Sequence, residues 1–263
     1  MNTAAVVTVV SDSFEPLLEL WITRVRACFD FPVVVLDATT TGLSSRWSRV
    51  EFVRVGQHNL SMREDIHAAG WKLLVELVLP RRYTGVFFLD LDILCIERPK
   101  MLFKCACQEP SKIAMSVDYF VGYKEILEQE MREFDKQFTM RFFDDGRFYY
   151  FNTGVWWAPR RKLSFFLKAY QYWEKYYLNV GCLPAILDQN IFNYAASKHN
   201  EIINELPSSE NCLRQYPFVL SADDRPVLDG TPVSLFHFNG GDAALKLERM
   251  SLAASKWNIG STR

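Results

Sequence analysis

The stretch Phe87-Phe88-Leu89-Asp90-Leu91-Asp92-Ile93-Leu94 places two carboxylates in an otherwise apolar segment. The run from Val86 to Leu89 is typical of a β-strand that is buried on both faces. A carboxylate that is buried without a partner costs several kcal/mol, and two neighbouring carboxylates oppose each other's ionisation. A divalent cation between the two side chains would remove both penalties. The Asp-x-Asp pattern therefore indicates a candidate metal site at a strand end.

The spacing of Asp90 and Asp92 is part of this argument. Side chains two residues apart point to the same side of an extended backbone, so we expect both carboxylates on one side of the strand. Oxygen ligands suit a hard cation and leave coordination positions for phosphate oxygens. The alternative is structural, with one Asp capping a helix at the strand end and its neighbour solvated. The motif alone leaves both interpretations open.

Strands and helices alternate on either side of this stretch. The predicted strands of the first half are Ala4 to Val10, Val33 to Leu36, Val50 to Val55, Val86 to Leu89 and Ile113 to Val117. Helical spacing of apolar residues covers Leu17 to Cys28 and Met62 to Leu79, and Pro80 ends the second helix. Alternation of this kind predicts an α/β fold with a doubly wound, mostly parallel sheet.

The second half is richer in aromatic residues. Helices are predicted over Glu125 to Lys136, Leu163 to Tyr177 and Leu187 to Ala196, and strands over Val155 to Ala158 and Ser234 to Phe238. Six aromatic residues recur at strand and helix spacing, and we expect them in the core: Trp156, Trp157, Phe165, Phe166, Tyr170 and Trp173. The chain has no internal repeat and no low-complexity linker, so we expect a single domain over residues 1–263.

Composition excludes several classes of protein. The 263 residues include 30 Lys and Arg against 31 Asp and Glu, a balance that argues against nucleic acid or a polybasic membrane anchor as partner. None of the 12 glycines forms a G-x-G pair, so the dinucleotide fingerprint and the Walker phosphate loop are both absent. If the protein binds a phosphate, a group other than a glycine loop must neutralise the charge.

The cysteines and apolar runs bear on the compartment. The six cysteines are scattered, and we expect free thiols, mostly buried, in a reducing compartment such as the cytoplasm: Cys28, Cys95, Cys105, Cys107, Cys182 and Cys212. The apolar run that ends at Val10 has no positive region before it and is a poor signal peptide. No integral membrane segment is predicted, because no run approaches the length of a span. The alternative is a lumenal domain separated from its anchor.

Three further polar clusters lie at predicted strand or helix ends. His237 lies in Leu235-Phe236-His237-Phe238-Asn239-Gly240 and could complete a metal shell, in which carboxylates with one imidazole suit Mn²⁺. Asn152-Thr153-Gly154 begins a strand where backbone can approach a ligand. Asp188-Gln189-Asn190 begins an apolar helix. Each has a structural alternative: a core histidine, a plain turn, and a helix N-cap.

The order of these motifs resembles the metal-dependent GT-A glycosyltransferases, and glycosyltransferase family 8 in particular. That family includes glycogenin and the bacterial lipooligosaccharide galactosyltransferases, and the resemblance spans Val6 to Lys246. It implies the GT-A fold, with a nucleotide-binding half over residues 1–118 and an acceptor and sugar-binding half over residues 119–263. It also implies that a sugar passes from a nucleoside diphosphate sugar, most simply UDP-linked, to a hydroxyl of a carbohydrate or glycosylated acceptor. The implied cofactor is Mn²⁺ or Mg²⁺, and the implied stereochemistry is retention.

The resemblance also implies residue roles. Asp90, Asp92 and His237 would hold the metal, and Asp188 and Gln189 would lie beside the anomeric carbon as catalytic residues. The implied donor-binding residues are Ser11, Asp12, Phe14, Lys72, Asp90, Leu91, Asp118, Asn152, Gly154 and Lys246. Among these, Phe14 would stack on the base, and Lys72 and Lys246 would face the diphosphate.

The sequence departs from the family pattern in three places. The interval from Gly240 to Lys246 is longer than in the family's His-x-x-Gly-x-x-Lys, and Thr153 replaces a smaller Ala or Ser. The helix predicted from Glu125 and the aromatic stretch after it have no counterpart. Four residues of that stretch fit either an exposed platform for an acceptor sugar or a loop packed on the core: Phe142, Phe143, Tyr149 and Tyr150.

Other functions compete with this interpretation. An inverting GT-A glycosyltransferase would use a related site and would differ in the stereochemistry of its product. A sugar nucleotidyltransferase would place a Gly-rich, basic loop where Ser11-Asp12-Ser13-Phe14-Glu15 stands. A nucleotide-sugar-binding domain without catalysis, or a purely structural α/β protein, would make the cluster of polar motifs incidental.

Overall fold

A computed structural model describes residues 4–43, 47, 49–55, 68–118, 121–181 and 187–257. The strands in this part of the chain are β1 (Ala4–Val10), β2 (Val33–Asp37), β3 (Val50–Arg54), β4 (Gly85–Leu89), β5 (Ile93–Cys95), β6 (Ile113–Val117), β7 (Phe151–Pro159), β8 (Ile203–Leu206), β9 (Cys212–Leu213), β10 (Val219–Leu220), β11 (Pro226–Leu228), β12 (Thr231–Pro232) and β13 (Leu235–His237). The α-helices are α1 (Leu18–Cys28), α2 (Ala68–Trp71), α3 (Val75–Val78), α4 (Lys100–Gln108), α5 (Val121–Phe134), α6 (Leu163–Val180), α7 (Leu187–Lys198) and α8 (Ala243–Lys256).

Seven of these described strands form a central sheet in the order β3-β2-β1-β4-β7-β6-β8. Neighbouring strands are parallel from β3 through β4 and again between β6 and β8. Strand β7 is antiparallel to both of its neighbours, β4 and β6. The predicted α/β fold with a mostly parallel sheet is confirmed, and strands from both predicted halves of the chain contribute to that sheet.

Hydrophobic packing covers both faces of the sheet. Along β4, Val86 and Phe88 pack into one hydrophobic cluster, whereas Phe87 and Leu89 pack into the other. This alternation follows from the two-residue period of a strand. Phe88 stacks on Trp156 of β7 with a centroid separation of 4.9 Å and an interplanar angle of 8°. Burial on both faces explains why β4 is apolar up to Asp90.

Several predicted boundaries differ from the structure. The helix predicted over 62–79 consists, from residue 68 onward, of α2, a 3-10 turn Lys72–Leu74 and α3, and residues 62–67 lie outside the described residues. The strand predicted from Val155 begins at Phe151, so the Asn-Thr-Gly motif lies inside β7 and not in a turn before it. The helix predicted over 125–136 is α5, which begins and ends earlier. The three-residue strand β5 was not predicted.

The aromatic residues divide between the core and the surface. The six predicted to be in the core are all buried. Tyr149 and Tyr150 are also buried, and the Tyr150 hydroxyl donates to Asn190 Oδ1 at 2.7 Å. Only Phe142 of the four candidate platform residues is a largely exposed side chain, at 51%. The exposed-platform interpretation is therefore wrong for the two tyrosines, whose rings complete the core beneath the loop.

The cysteines in the described part of the chain are free thiols, and three of them are buried. Cys28, Cys95, Cys105, Cys107 and Cys212 are free thiols, and Cys182 lies outside the described residues. Cys28, Cys95 and Cys212 are buried, whereas Cys107 is exposed. Across the described helices, none is both long and apolar enough to span a membrane.

Candidate active site

The Asp-x-Asp motif lies in a tight turn after β4. The Asp90 backbone N–H donates to the Gly154 carbonyl at 2.8 Å, and the Asp90 carbonyl accepts from the Ile93 N–H at 3.1 Å. The Trp21 indole N–H donates to the same carbonyl at 3.0 Å. We predicted an extended backbone through the motif, and this prediction is wrong. The turn, and not the two-residue period of a strand, brings the two carboxylates together.

His237 joins the two carboxylates through the pairing of β13 with β5. These strands are antiparallel with His237 opposite Ile93, and the Phe238 N–H donates to the Asp92 carbonyl at 2.9 Å. One ligand atom from each of Asp90, Asp92 and His237 lies within 4.8 Å of the others. Two carboxylates and one imidazole fit Mn²⁺ or Mg²⁺, so this donor set is a candidate metal centre.

Two buried lysines compensate the charge of the carboxylates. Lys72 Nζ lies 3.0 Å from the Asp90 carboxylate and 3.2 Å from Asp188 Oδ2. Lys246 Nζ lies 2.6 Å from Asp92 Oδ2. Burial disfavours the charge on Lys72, but the carboxylates of Asp188 and Asp90 outweigh burial and raise the pKa of the Lys72 ammonium. Lys72 therefore stays charged and joins the Asp90 carboxylate to Asp188.

The two carboxyl groups of the motif have opposite pKa shifts. Burial raises the pKa of Asp90, assisted by the negative charge of Asp92 and opposed by Lys72. Burial also acts on Asp92, but His237 and Lys246 outweigh it and hold the pKa of the Asp92 carboxyl below its usual range. Asp92 is thus the better-compensated carboxylate before any cation binds.

Asp188 lies in the first turn of α7, facing β7. Its Oδ2 atom accepts from the Thr153 hydroxyl at 2.5 Å and lies beside Lys72. A helix N-cap was the structural alternative for Asp188, but these side-chain contacts tie it to the strand and to the lysine. Thr153, which departs from the family pattern, supplies a hydroxyl that a smaller alanine would lack.

Two buried asparagines, Asn152 and Asn211, connect Gln189 to His237 of the candidate metal centre. The Gln189 amide N–H donates to Asp118 Oδ2 at 3.1 Å, and the Asn152 amide N–H donates to Gln189 Oε1 at 3.1 Å. Asn211 then donates to Asn152 Oδ1 at 2.9 Å, and Asn211 Oδ1 lies 3.2 Å from His237 Nδ1. Sequence reasoning missed Asn211, because its partners come from distant strands and no local motif marks it.

Gly154 allows these groups to approach the backbone of β7. A Cβ atom there would lie 2.6 Å from His237 Cε1 and 3.0 Å from both Asn152 Oδ1 and Asp90 Oδ2. Real Cβ atoms essentially never come as close as the first of these distances. Glycine is thus required at this position by close packing.

The residues predicted near the base lie at the start of the first helical segment. Phe14 is half-buried, and Lys246 Nζ lies 5.0 Å from the centre of its ring. The Asp12 carboxylate accepts from the Thr40 N–H at 3.0 Å, and Ser11 Oγ lies 3.3 Å from Ser13 Oγ. The Leu91 side chain is buried in the hydrophobic core.

The predicted site residues therefore fall into two groups. Contacts between described residues join ten of them in one cluster: Lys72, Asp90, Asp92, Asp118, Asn152, Gly154, Asp188, Gln189, His237 and Lys246. Phe14 borders that cluster through Lys246. Asp12 contacts Thr40 and Ser11 contacts Ser13, and neither partner belongs to that cluster.

Solved structures with a similar fold confirm the predicted GT-A glycosyltransferase fold. A galactosyltransferase, LgtC in complex with donor and acceptor sugar analogues, has a TM-score of 0.63 and 18% identity, with 98% of this chain and 97% of that chain covered. Mouse xyloside xylosyltransferase 1 has a TM-score of 0.58 and 14% identity, with 91% of this chain and 98% of that chain covered. The bifunctional glycosyltransferase WbbM has a TM-score of 0.55 and 15% identity, covering 98% of this chain and 51% of that one. No protein-family model and no curated protein sequence matches the chain.

Proposed function

We propose that the protein is a metal-dependent glycosyltransferase that moves a sugar from a nucleoside diphosphate sugar, UDP-linked, to an acceptor hydroxyl with retention. The observation that carries this proposal is the gathering of Asp90, Asp92 and His237 within 4.8 Å, with Asp188 joined to them through Lys72. The GT-A fold supports it, because a structure with the same fold, solved with donor and acceptor sugar analogues, is a galactosyltransferase.

Asp90, Asp92 and His237 would hold Mn²⁺ or Mg²⁺ in this proposal. When bound, the cation supplies Lewis-acid stabilisation of the charge that grows on the leaving diphosphate. The two buried lysines act on the same charge: Lys246 contacts Asp92 and borders the Phe14 ring, and Lys72 contacts Asp90. Fixed cations in a site shielded from water stabilise developing negative charge strongly.

The base and the donor sugar would lie on either side of the diphosphate. Phe14 would stack on the base, with Ser11, Asp12 and the Leu91 backbone beside the nucleoside. Asn152, Gly154 and Asp118 would contact the sugar. This arrangement assigns residues 1–118 chiefly to the nucleotide and residues 119–263 to the sugar and acceptor.

Asp188 and Gln189 would act at the anomeric carbon. Asp188 is buried, and its Oδ2 is already engaged by the Thr153 hydroxyl and Lys72. A carboxylate held in this way is suited to stabilise oxocarbenium-like charge and less suited to form a covalent bond. We therefore favour attack on the same face as the departing phosphate, with Gln189 orienting the acceptor from its hydrogen bond with Asp118.

A screen of nucleotide sugars tests this proposal. Purified protein is incubated with each donor and Mn²⁺, and release of the nucleoside diphosphate is measured beside an EDTA control. We expect metal-dependent release from at least one UDP-sugar and a fall of roughly 100-fold in Asp188→Asn, since charge stabilisation of this kind is worth several kcal/mol. Absence of release from every donor would contradict catalysis and leave a binding domain. An inverted product, read by proton NMR, would contradict retention.

A further inference from the structure

Two consecutive side chains of β7 bind two consecutive side chains in the first turn of α7. The Asn152 amide N–H donates to Gln189 Oε1 at 3.1 Å, and the Thr153 hydroxyl donates to Asp188 Oδ2 at 2.5 Å. The first turn of α7 carries both proposed catalytic residues. That turn is therefore attached to the strand at two points, and Thr153 supplies one of them.

The Thr153 hydroxyl is committed to this contact. Asp188 Oδ2 is its only hydrogen-bond partner among the described residues, and a carboxylate oxygen accepts the bond. Thr153 is 3% exposed and Asp188 is 6% exposed, so water has little access to the contact. A side chain without the hydroxyl would leave Oδ2 with one donor fewer and with little chance of replacement by solvent.

The two oxygens of the Asp188 carboxylate have different surroundings. Oδ2 receives the Thr153 hydroxyl and lies 3.2 Å from Lys72 Nζ, so groups from β7 and from the 3-10 turn Lys72–Leu74 meet at one atom. Oδ1 makes no hydrogen bond to any described residue and is not fully enclosed. One oxygen is thus held by the protein, and the other is left for a ligand.

We infer that Thr153 is a positioning residue, which fixes the orientation of the Asp188 carboxylate and directs Oδ1 toward the donor sugar. The terminal torsion of an aspartate is broad, and a lysine ammonium is a point charge that either oxygen can meet. Lys72 alone would therefore leave the carboxylate free to exchange its two oxygens. An alanine at position 153, one of the residues common in the resembled family, could not supply the missing bond.

This inference rests on the proposed function for the role of Asp188 at the anomeric carbon, whereas the contact itself does not. In the proposed function the diphosphate is bound by the candidate metal centre and the two lysines, and the Thr153 hydroxyl contacts none of these groups. A displacement of about 1 Å at a reacting centre can reduce a rate about 100-fold. Loss of the hydroxyl should therefore lower kcat and leave the KM for the donor nearly unchanged.

Three variants test the hydroxyl on the donor that the nucleotide-sugar screen identifies. Thr153→Val removes the hydroxyl and keeps the branched shape, and we expect kcat to fall about 10-fold with the donor KM within about twofold of wild type. Thr153→Ser keeps the hydroxyl and should retain kcat within about threefold. Thr8→Val is the matched control, because Thr8 is fully buried in β1 and its hydroxyl has no hydrogen-bond partner among the described residues. It should leave kcat unchanged.

Combining Thr153→Val with Asp188→Ala separates positioning from a structural role. A residue that acts through the carboxylate has no effect once the carboxylate is gone, so we expect Thr153→Val to cause no further fall in kcat in the Asp188→Ala background. Equal fold losses in the two backgrounds would overturn the inference. Wild-type kcat in Thr153→Val, or equal impairment of Thr153→Ser and Thr153→Val, would also overturn it.

A second measurement needs no activity and separates this inference from the proposed function. Urea unfolding of wild type, the two single variants and the double variant gives the coupling between Thr153 and Asp188. A hydrogen bond to a charged group predicts a coupling of about 10-fold or more in the unfolding equilibrium constant. Such coupling in a protein without transferase activity would support the hold on Asp188 and contradict the proposed function. Absence of coupling would overturn the inference whatever the activity.

Discussion

Lys246 and Asp92 are 154 residues apart in the sequence, and their Nζ and Oδ2 atoms lie 2.6 Å apart in the structure. Both side chains are buried, and Lys246 also borders the Phe14 ring at 5.0 Å from its centre. Helix α8 thereby places the Lys246 ammonium against Asp92 of the candidate metal centre and beside Phe14, the proposed base-binding residue. The longer interval between Gly240 and Lys246 does not prevent this, because the helix begins at Ala243 and carries Lys246 back toward the site.

Replacing Lys246 with methionine is expected to reduce both stability and donor affinity. The change leaves the buried Asp92 carboxylate beside His237 but without its contact to the Lys246 ammonium, and breaking a buried ion pair costs about 3 kcal/mol. We expect a lower urea midpoint and a raised KM for the nucleotide sugar. Lys256→Met is the matched control, since Lys256 is exposed on the same helix and its loss should change stability by less than about 0.5 kcal/mol. Equal effects of the two substitutions would contradict the role given to Lys246.

Replacing Gly154 with alanine is expected to disrupt the site more than the fold. The new methyl group would meet His237 Cε1 at 2.6 Å and the Asp90 carboxylate at 3.0 Å, so the metal-site side chains must move apart. Overpacking of this kind costs about 1–3 kcal/mol, and we expect Mn²⁺-dependent activity to fall further than stability. The Mn²⁺-dependent activity and the urea midpoint are both measured on the same preparation of each protein, and their losses relative to wild type are compared.

Gly146→Ala supplies the comparison for that experiment. Gly146 has φ of +82°, and an added Cβ would meet nothing within 4 Å. The left-handed backbone costs about 1–2 kcal/mol with a side chain, so this variant should lose stability and keep activity. If Gly154→Ala keeps full activity as well, the packing of β7 against His237 is not needed for function.

Asp37 is expected to make stability depend on pH in the acid range. Burial opposes its ionisation, but the hydroxyl and N–H of Thr39, the Leu43 N–H and Arg54 outweigh burial and lower the pKa of the Asp37 carboxyl. An acid whose folded-state pKa is depressed stabilises the protein above its unfolded pKa, and this contribution is lost as the pH falls through the folded value. We therefore expect Asp37→Asn to cost about 2 kcal/mol at neutral pH.

The pH dependence of that difference is the measurement. The gap between wild type and Asp37→Asn should be full above about pH 4, the ordinary aspartate value, and should close as the pH falls further. Asp30→Asn is the control, because its exposed ion pair with Arg98 should be worth less than about 1 kcal/mol. A gap that stays constant into the acid range would show that the hydrogen bonds, and not the charge, carry the effect.

Much of the fold follows from local sequence. The continuous apolar run Val86, Phe87, Phe88 and Leu89 is visible without a structure, because both faces of a buried strand must be apolar. Strand direction is not visible in the same way, and the antiparallel placement of β7 depends on its neighbours. The three residues of β5 carry no periodic signal, since their strand conformation depends on pairing with β13 far along the chain.

The candidate site was predictable where motifs mark it. Asp90, Asp92 and His237 were predicted together and lie together, but the turn that joins the two carboxylates was not predicted. Asn211 could not be predicted, because its partners are 26 and 59 residues away and a single asparagine has no distinctive spacing. Long-range hydrogen-bond partners are set by the fold, so they become visible only with it.

Asp90, Asp92 and His237 are proposed to form the metal centre of a glycosyltransferase, and one rate tests this proposal most directly. This is the Mn²⁺-dependent release of UDP from the donor that the screen identifies, compared between wild type and Asp90→Ala after removal of metal with EDTA. The metal's contribution of several kcal/mol corresponds to a factor of about 100 or more, so we predict at least that loss in Asp90→Ala, with the residual rate insensitive to Mn²⁺. Full Mn²⁺-dependent release by Asp90→Ala would contradict the account.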